Sequence, residues 1–322
     1  MKADAAEALL ARIRDARADP ASEASLRTLR EALGSREARG VAKAAALAAE
    51  ADLVGLRAEL AQALTRLLEV GAKADPGCAA KQALCEALDR LGHDDEALFR
   101  RALRHEQWEP VFGGRVDTAV DLRGSGALAL ARLDRPDVLL DLARLLADRE
   151  PGARAAGARA LAFRGGPDAL PLLHLRILAG DPDARVLGSC FEAALRLAPL
   201  SSTDFVAPFL DSPATEVAEE AALALGSSRC AEAVARLRDW CGRSVLAERR
   251  AAGLRALALS RREEAFDFLV ERVREGTPAA AREALQALGV LRADTTLAAR
   301  VREAAQARGE PEVARALQSA FG

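Results

Sequence analysis

Glu150-Pro151-Gly152-Ala153-Arg154-Ala155-Ala156-Gly157-Ala158-Arg159-Ala160-Leu161 is the stretch that decides the fold. It opens on an acidic residue followed by proline, which fits the first helical position because its missing N–H would have no partner there anyway. Arg154, Gly157 and Ala160-Leu161 then fall on one helical face. The same opening recurs as Asp181-Pro182, Ser212-Pro213, Thr277-Pro278 and Glu310-Pro311, and Asp, Ser and Thr are good N-cap residues. The prolines are spaced by 31, 31, 65 and 33 residues, so one copy has lost its proline within the long interval. A period in the low thirties built from helix pairs is the mark of an α-solenoid. The expected fold is all-α: a right-handed superhelix of about eight to nine helix pairs.

Alignment on the proline shows what each copy repeats. Three residues on stand Arg154 and Arg185, with Arg250 in the copy that has Ala247 in place of proline. Six on comes a small residue, Gly157, Gly188, Gly253 or Ala284. Nine and ten on come Ala160-Leu161, Ala222-Leu223, Ala256-Leu257 and Ala287-Leu288, so the four leucines are expected in equivalent core sites. The Pro182 copy departs, with Phe191-Glu192 at that place. Between these helices runs a shorter amphipathic one, as in Pro136-Asp137-Val138-Leu139-Leu140 and Pro167-Asp168-Ala169-Leu170-Pro171-Leu172-Leu173.

From about Val116 to Gly322 this pattern resembles the bacterial HEAT-repeat family, and within it the subtype named after phycobilisome lyases. The resemblance implies a scaffold that adaptors, lyases and some enzymes reuse. It also implies that the proline-led second helix of each pair lines a concave face, and that the recurrent arginine ladders to an acidic residue of an adjacent repeat. HEAT-type deoxyhypusine hydroxylases hold iron with several His-Glu pairs, whereas this chain has one, His105-Glu106.

Residues 1–103 read as divergent repeats with a cap, including cap-and-proline starts at Asp19-Pro20 and Asp75-Pro76. Residues 116–322 read as regular repeats ending in a capping helix with Val313, Leu317 and Phe321 on one side. Between them, Pro76 to Thr118 is a swollen period of 42 residues. Its surplus, residues 104–115, is expected to be irregular because Pro110 and Gly113-Gly114 sit poorly in a helix. Trp108 and Phe112 make it either a recognition loop or a hydrophobic plug.

The composition excludes several classes. Among 322 residues, 50% are hydrophobic and 29% charged, with two Trp, nine Phe and no Tyr. Net charge is −2, spread as −2, +1 and −1 over residues 1–100, 101–200 and 201–322, so neither nucleic acid nor a membrane is expected as a partner. Only four of 46 basic residues are lysine and Asn is absent, as in a GC-rich, bacterial coding sequence. No apolar leader or membrane span is legible. Five cysteines without a CxxC pair read as reduced and cytoplasmic.

No residue set points to catalysis, a cofactor or a metal. His93, His105 and His174 lack ligand-spaced partners, and Gly113-Gly114 and Gly165-Gly166 are turn glycines rather than phosphate loops. The leading expectation is a non-catalytic scaffold or adaptor that binds a protein or peptide on its concave face. Positions eight past the proline vary most, as Arg159, Cys190, Arg255 and Gln286. The expected contact residues are therefore Trp108, Phe112, Arg159, Arg255 and Gln286. The alternatives are a tetrapyrrole (bilin or haem) lyase or lyase partner, and a DNA-binding HEAT protein.

Overall fold

A computed structural model describes residues 2–135 and 137–322, and helix contacts divide it into two units that meet at Arg164 and Gly165 in sequence. In the first unit, α1 (Lys2–Asp15) leads four helix pairs. These are α2 (Glu23–Gly34) with α3 (Ala38–Glu50), α4 (Arg57–Leu68) with α5 (Ala79–Arg90), α6 (Glu96–Leu103) with α7 (Val120–Leu133), and α8 (Val138–Leu146) with α9 (Pro151–Arg164). The second helices α3, α5, α7 and α9 pack one on the next, and α2, α4 and α6 form a parallel row. Pro136, expected at the start of α8, lies outside the described residues.

The second unit repeats the plan five times. Its pairs are α10 (Ala169–Ala179) with α11 (Ala184–Leu197), α12 (Pro199–Val206) with α13 (Thr215–Ser227), and α14 (Ala231–Arg243) with α15 (Ala247–Ser260). They continue as α16 (Glu263–Glu275) with α17 (Pro278–Leu288), and α18 (Thr295–Gln306) with α19 (Pro311–Phe321). Here α11, α13, α15, α17 and α19 stack in order. The fold is an all-α solenoid of nine pairs among the described residues, as the period predicts.

Capping chemistry sets where each second helix begins. Pro151, Pro278 and Pro311 are first helical residues, and the Thr277 hydroxyl accepts from the Ala280 N–H at 3.2 Å. Pro182 and Pro213 instead stand two residues ahead of their helices, and α11 is capped by Asp183, whose carboxylate accepts from the Arg185 N–H at 3.0 Å. Register therefore follows the helix start and not the proline.

Counted from the first helical residue, the seventh position of α7, α9, α11, α13, α15 and α17 is small and buried: Gly126, Gly157, Cys190, Ala221, Gly253 and Ala284. The eleventh is buried in all six: Leu130, Leu161, Ala194, Leu225, Leu257 and Leu288. Two expectations are corrected by this shift. The small position of α11 is Cys190 rather than Gly188, and the core leucine of α13 is Leu225, while Leu223 is part exposed. Small residues are needed because paired helices touch here. A Cβ on Gly126 would stand 2.8 Å from the Leu103 backbone nitrogen, and one on Gly157 3.1 Å from that of Leu146.

The recurrent cation sits at the fourth position, as Arg123, Arg154 and Arg250. Arg154 donates to the carbonyls of Asp148 and Arg149, both at 2.9 Å. Arg250 donates to Val245 O at 2.6 Å and to the Glu283 carboxylate on α17 at 2.9 Å. Each ties down the loop entering its own helix. Arg185, expected in this set, is exposed at the second position and pairs with Asp183 at 2.6 Å, while Asp181 takes the Arg176 guanidinium.

The segment expected to be irregular is ordered. Within residues 104–117 lies an antiparallel hairpin, β1 (Trp108–Val111) and β2 (Gly114–Asp117), paired from Trp108 with Asp117 to Val111 with Gly114. Phe112-Gly113 forms its two-residue turn, and Gly113 takes φ +83°, which glycine reaches without a Cβ penalty.

Candidate partner-binding site

The hairpin is built from the base upward. Gln107, immediately before β1, is buried and acts as its hub. Its backbone N–H donates to Asp117 at 3.0 Å, and its carbonyl accepts from the Thr118 N–H at 2.8 Å. Its side-chain amide donates to the Asp75 carbonyl and to the Glu109 carboxylate, both at 2.8 Å. Its amide oxygen accepts from the fully buried Lys81 ammonium at 2.6 Å.

Lys81 also faces Asp75 at 3.6 Å, and that carboxylate accepts from the Ala80 and Lys81 backbone N–H groups at the start of α5. On the other side, Asp117 accepts from the Ala119 N–H at 2.9 Å and from Arg123 at 2.6 Å, tying the hairpin to the start of α7. Arg123 reaches on to His105 O at 3.0 Å and to Asp148 at 3.1 Å. Buried polar groups joined in such a network rigidify what they hold.

The electrostatics follow from these bonds. The Glu109 carboxyl is held below its usual range by the Thr118 hydroxyl, the Gln107 amide and the Gly77 N–H. Burial alone would raise the Asp117 carboxyl, but the N–H groups of Gln107 and Ala119 with the Arg123 guanidinium outweigh it and hold it low. Burial, with the nearby Lys81 charge, pushes the His105 imidazole down.

The tip is apolar where the base is polar. Phe112 is fully exposed, and Val111 and Val116 are 51% and 43% exposed. Trp108 is half-buried, and its indole N–H donates to the Glu106 carboxylate at 3.0 Å. Trp108 thus belongs to the hairpin's footing, and Phe112 to its presented end.

The other expected contact residues lie on second helices. Arg159 on α9, Arg255 on α15 and Gln286 on α17 are all exposed at the ninth helical position. Counting from the helix start adds Leu128 to this position in the first unit and Glu192, Leu223 and Ser319 in the second, each exposed or part exposed. Cys190, reached by counting from Pro182, is buried. In the first unit the ninth positions run beside Arg132, which pairs with Asp89 at 2.7 Å and lies 5.3 Å over the Phe163 ring. Arg159 and Arg255 make no ion pair among the described residues, which leaves both forks open to a partner.

The remaining reactive groups are held in packing roles. Burial pushes the thiols of Cys78, Cys190 and Cys241 up to about 12, so they remain protonated at neutral pH. His174 stacks on Phe205 with ring centroids 4.0 Å apart. Among the described residues no group of three or more His, Cys, Asp or Glu could hold a metal, and no helix is long and apolar enough to cross a membrane.

No curated protein matches the chain. Among solved structures, it is similar to the complex of CpcE and CpcF of phycocyanin lyase from Nostoc sp. PCC7120, with 15% identity, 79% of this chain and 94% of that chain covered, and a TM-score of 0.38. Human deoxyhypusine hydroxylase in complex with glycerol has 19% identity, 81% and 96% coverage and a TM-score of 0.32. An engineered protein has 17% identity, 98% and 94% coverage and a TM-score of 0.34. Likenesses this distant carry no argument about activity. The family of HEAT repeats matches residues 115–196, which run from the second hairpin strand to the end of α11. Over that span, in which the small buried residue recurs at the seventh position of α7, α9 and α11, the chain is similar to the HEAT-repeat family.

Proposed function

We propose that this chain is a non-catalytic cytoplasmic scaffold that binds a protein partner, with the hairpin tip of the first unit as its anchor and the exposed ninth positions of second helices as contact residues within each unit. One observation carries the reading: Phe112 is fully exposed at the end of a hairpin whose base is held by buried polar groups hydrogen-bonded to one another. An apolar side chain presented to water from a hydrogen-bonded hairpin is the form an interface anchor takes, because the backbone has little conformational entropy left to lose on binding. A plug would bury that ring. The ninth positions supply polar variation on a repeated frame, as Arg159 does in the first unit and Arg255 and Gln286 do in the second.

The test places a photo-crosslinking phenylalanine analogue at position 112 and identifies the captured protein by mass spectrometry. Its affinity is then measured for the native chain and for Phe112→Ser. A loss of at least tenfold with an unchanged melting temperature is expected. Equal affinity for the two chains, or crosslinks no more selective than those from an exposed control position such as Arg27, overturns the reading.

A further inference from the structure

We infer that the groove between α17 and α19 in the second unit is a docking site for an acidic segment of a partner protein. The groove has a volume of about 870 Å³. Arg282, Gln286 and Val290 come from one side of α17 and the turn after it, Glu312 and Arg315 from α19, and Arg292 stands at one end. Three guanidinium groups therefore meet one carboxylate.

None of these arginine side chains makes a hydrogen bond or ion pair among the described residues, although most arginines in this unit do; Arg243, Arg250, Arg300 and Arg308 all pair with carboxylates. From Gly165 onward the chain carries twenty arginines against twenty-two carboxylates, a net charge of −2, so the groove is a basic site in a slightly acidic unit. Nucleic acid calls for an extended basic track, which such a balance does not supply.

The shape fits a peptide in extended form. The floor is thin because the helices approach closely: a Cβ on Gly289 would stand 3.2 Å from that of Ala320. From Arg282 to Val290 is eight residues, about 12 Å of helix rise, the length of about four extended residues. Arginine forks bind carboxylates bidentately, and Val290, 58% exposed on the wall, offers apolar contact to an intervening side chain. The occupant is thus a short run in which carboxylates alternate with an apolar residue.

This site shares Gln286 with the exposed ninth positions but no residue with the hairpin, so Phe112→Ser leaves the following assay unchanged. Fluorescence anisotropy of the full chain is measured with a fluorescein-labelled hexapeptide of alternating glutamate and leucine. The same peptide with glutamine for glutamate, a phosphoserine version and a single-stranded oligonucleotide serve as the other arms. The glutamate peptide is expected to bind at least tenfold tighter than the glutamine one, and to weaken as salt rises. The double variant Arg282→Gln with Arg315→Gln is expected to lose at least tenfold with its circular-dichroism melt unchanged. Arg282→Glu with Arg315→Glu is expected to prefer an arginine-leucine peptide, which shows that the site is still folded. Equal binding of the glutamate and glutamine peptides, or affinity within twofold in the double variant, overturns the proposal. So does tighter binding of the phosphoserine peptide or the oligonucleotide.

Discussion

Replacing Leu225 and, separately, Leu223 by alanine distinguishes a register set by the helix start from one set by the proline. Leu225 is fully buried at the eleventh position of α13, level with Leu161, Leu257 and Leu288, whereas Leu223 is part exposed at the ninth, on the stripe that carries Arg255 and Gln286. Leucine to alanine removes three carbons, worth about 2.4 kcal/mol at about 0.8 kcal/mol per buried methylene. The cavity left at a site with little room to collapse brings the cost for Leu225 to about 3–5 kcal/mol. At Leu223 part of the side chain is already in water and little cavity forms, so about 1 kcal/mol is expected. Urea denaturation followed by circular dichroism measures both, and because solenoid repeats can unfold in parts, amide exchange in α13 and α15 checks that the loss is local. If Leu223→Ala costs as much as Leu225→Ala, the helix-start register is wrong.

Other perturbations probe the hairpin and the close helix contacts. Lys81→Met strips the donor from the Gln107 amide oxygen while Asp75 keeps its two backbone N–H groups, so a loss of about 2–4 kcal/mol is expected, with faster amide exchange at Thr118; a change under about 0.5 kcal/mol counts against the network. Gly226→Ala would set a Cβ 2.3 Å from the Ala256 carbonyl oxygen, forcing α13 and α15 apart at a cost of about 1–3 kcal/mol or more by urea denaturation, and a neutral result would refute that contact. The depressed carboxyls of Glu109 and Asp117 stabilise the fold when ionised, so their contribution is present above the ordinary carboxylate value near 4 and is lost as pH falls through their lower folded values. The stability gap between the native chain and Asp117→Asn is expected to shrink below about pH 4, and a gap constant from pH 6 to pH 3 would show that Asp117 does not titrate with folding.

Much of the fold was legible because capping and amphipathic spacing are local. A proline that begins a helix, a small residue two turns on and a leucine one turn further depend on neighbours within one helix, and they recur wherever the pair recurs. The reading slipped where the proline stood outside the helix. At Asp181-Pro182 and Ser212-Pro213 the helix begins two residues later, which moved the small position to Cys190, the core leucine to Leu225 and the exposed stripe to Glu192 and Leu223. Asp183, a better-placed cap than Asp181, was the signal available for the first of these. Arg123 was missed for the same reason, since Thr118 stands two residues before α7 begins at Val120. Of the expected contact residues, Arg159, Arg255, Gln286 and Phe112 are exposed, while half-buried Trp108 is braced by Glu106.

The sequence by itself determined that the chain is an all-α stack of helix pairs, because period, cap and small-residue spacing are short-range properties that each copy states again. Only the tertiary structure decided what the swollen period becomes. Pro110, Gly113 and Gly114 forbid a helix there, but they do not choose between a loose loop and a hairpin. That choice rests on a buried lysine 26 residues from Gln107, a carbonyl 32 residues from it and an aspartate ten residues on, brought together by the stacking of α5 against α7. Partners so far apart leave no periodic trace in the chain, and their strength comes from being desolvated together, which happens only once the repeats have packed.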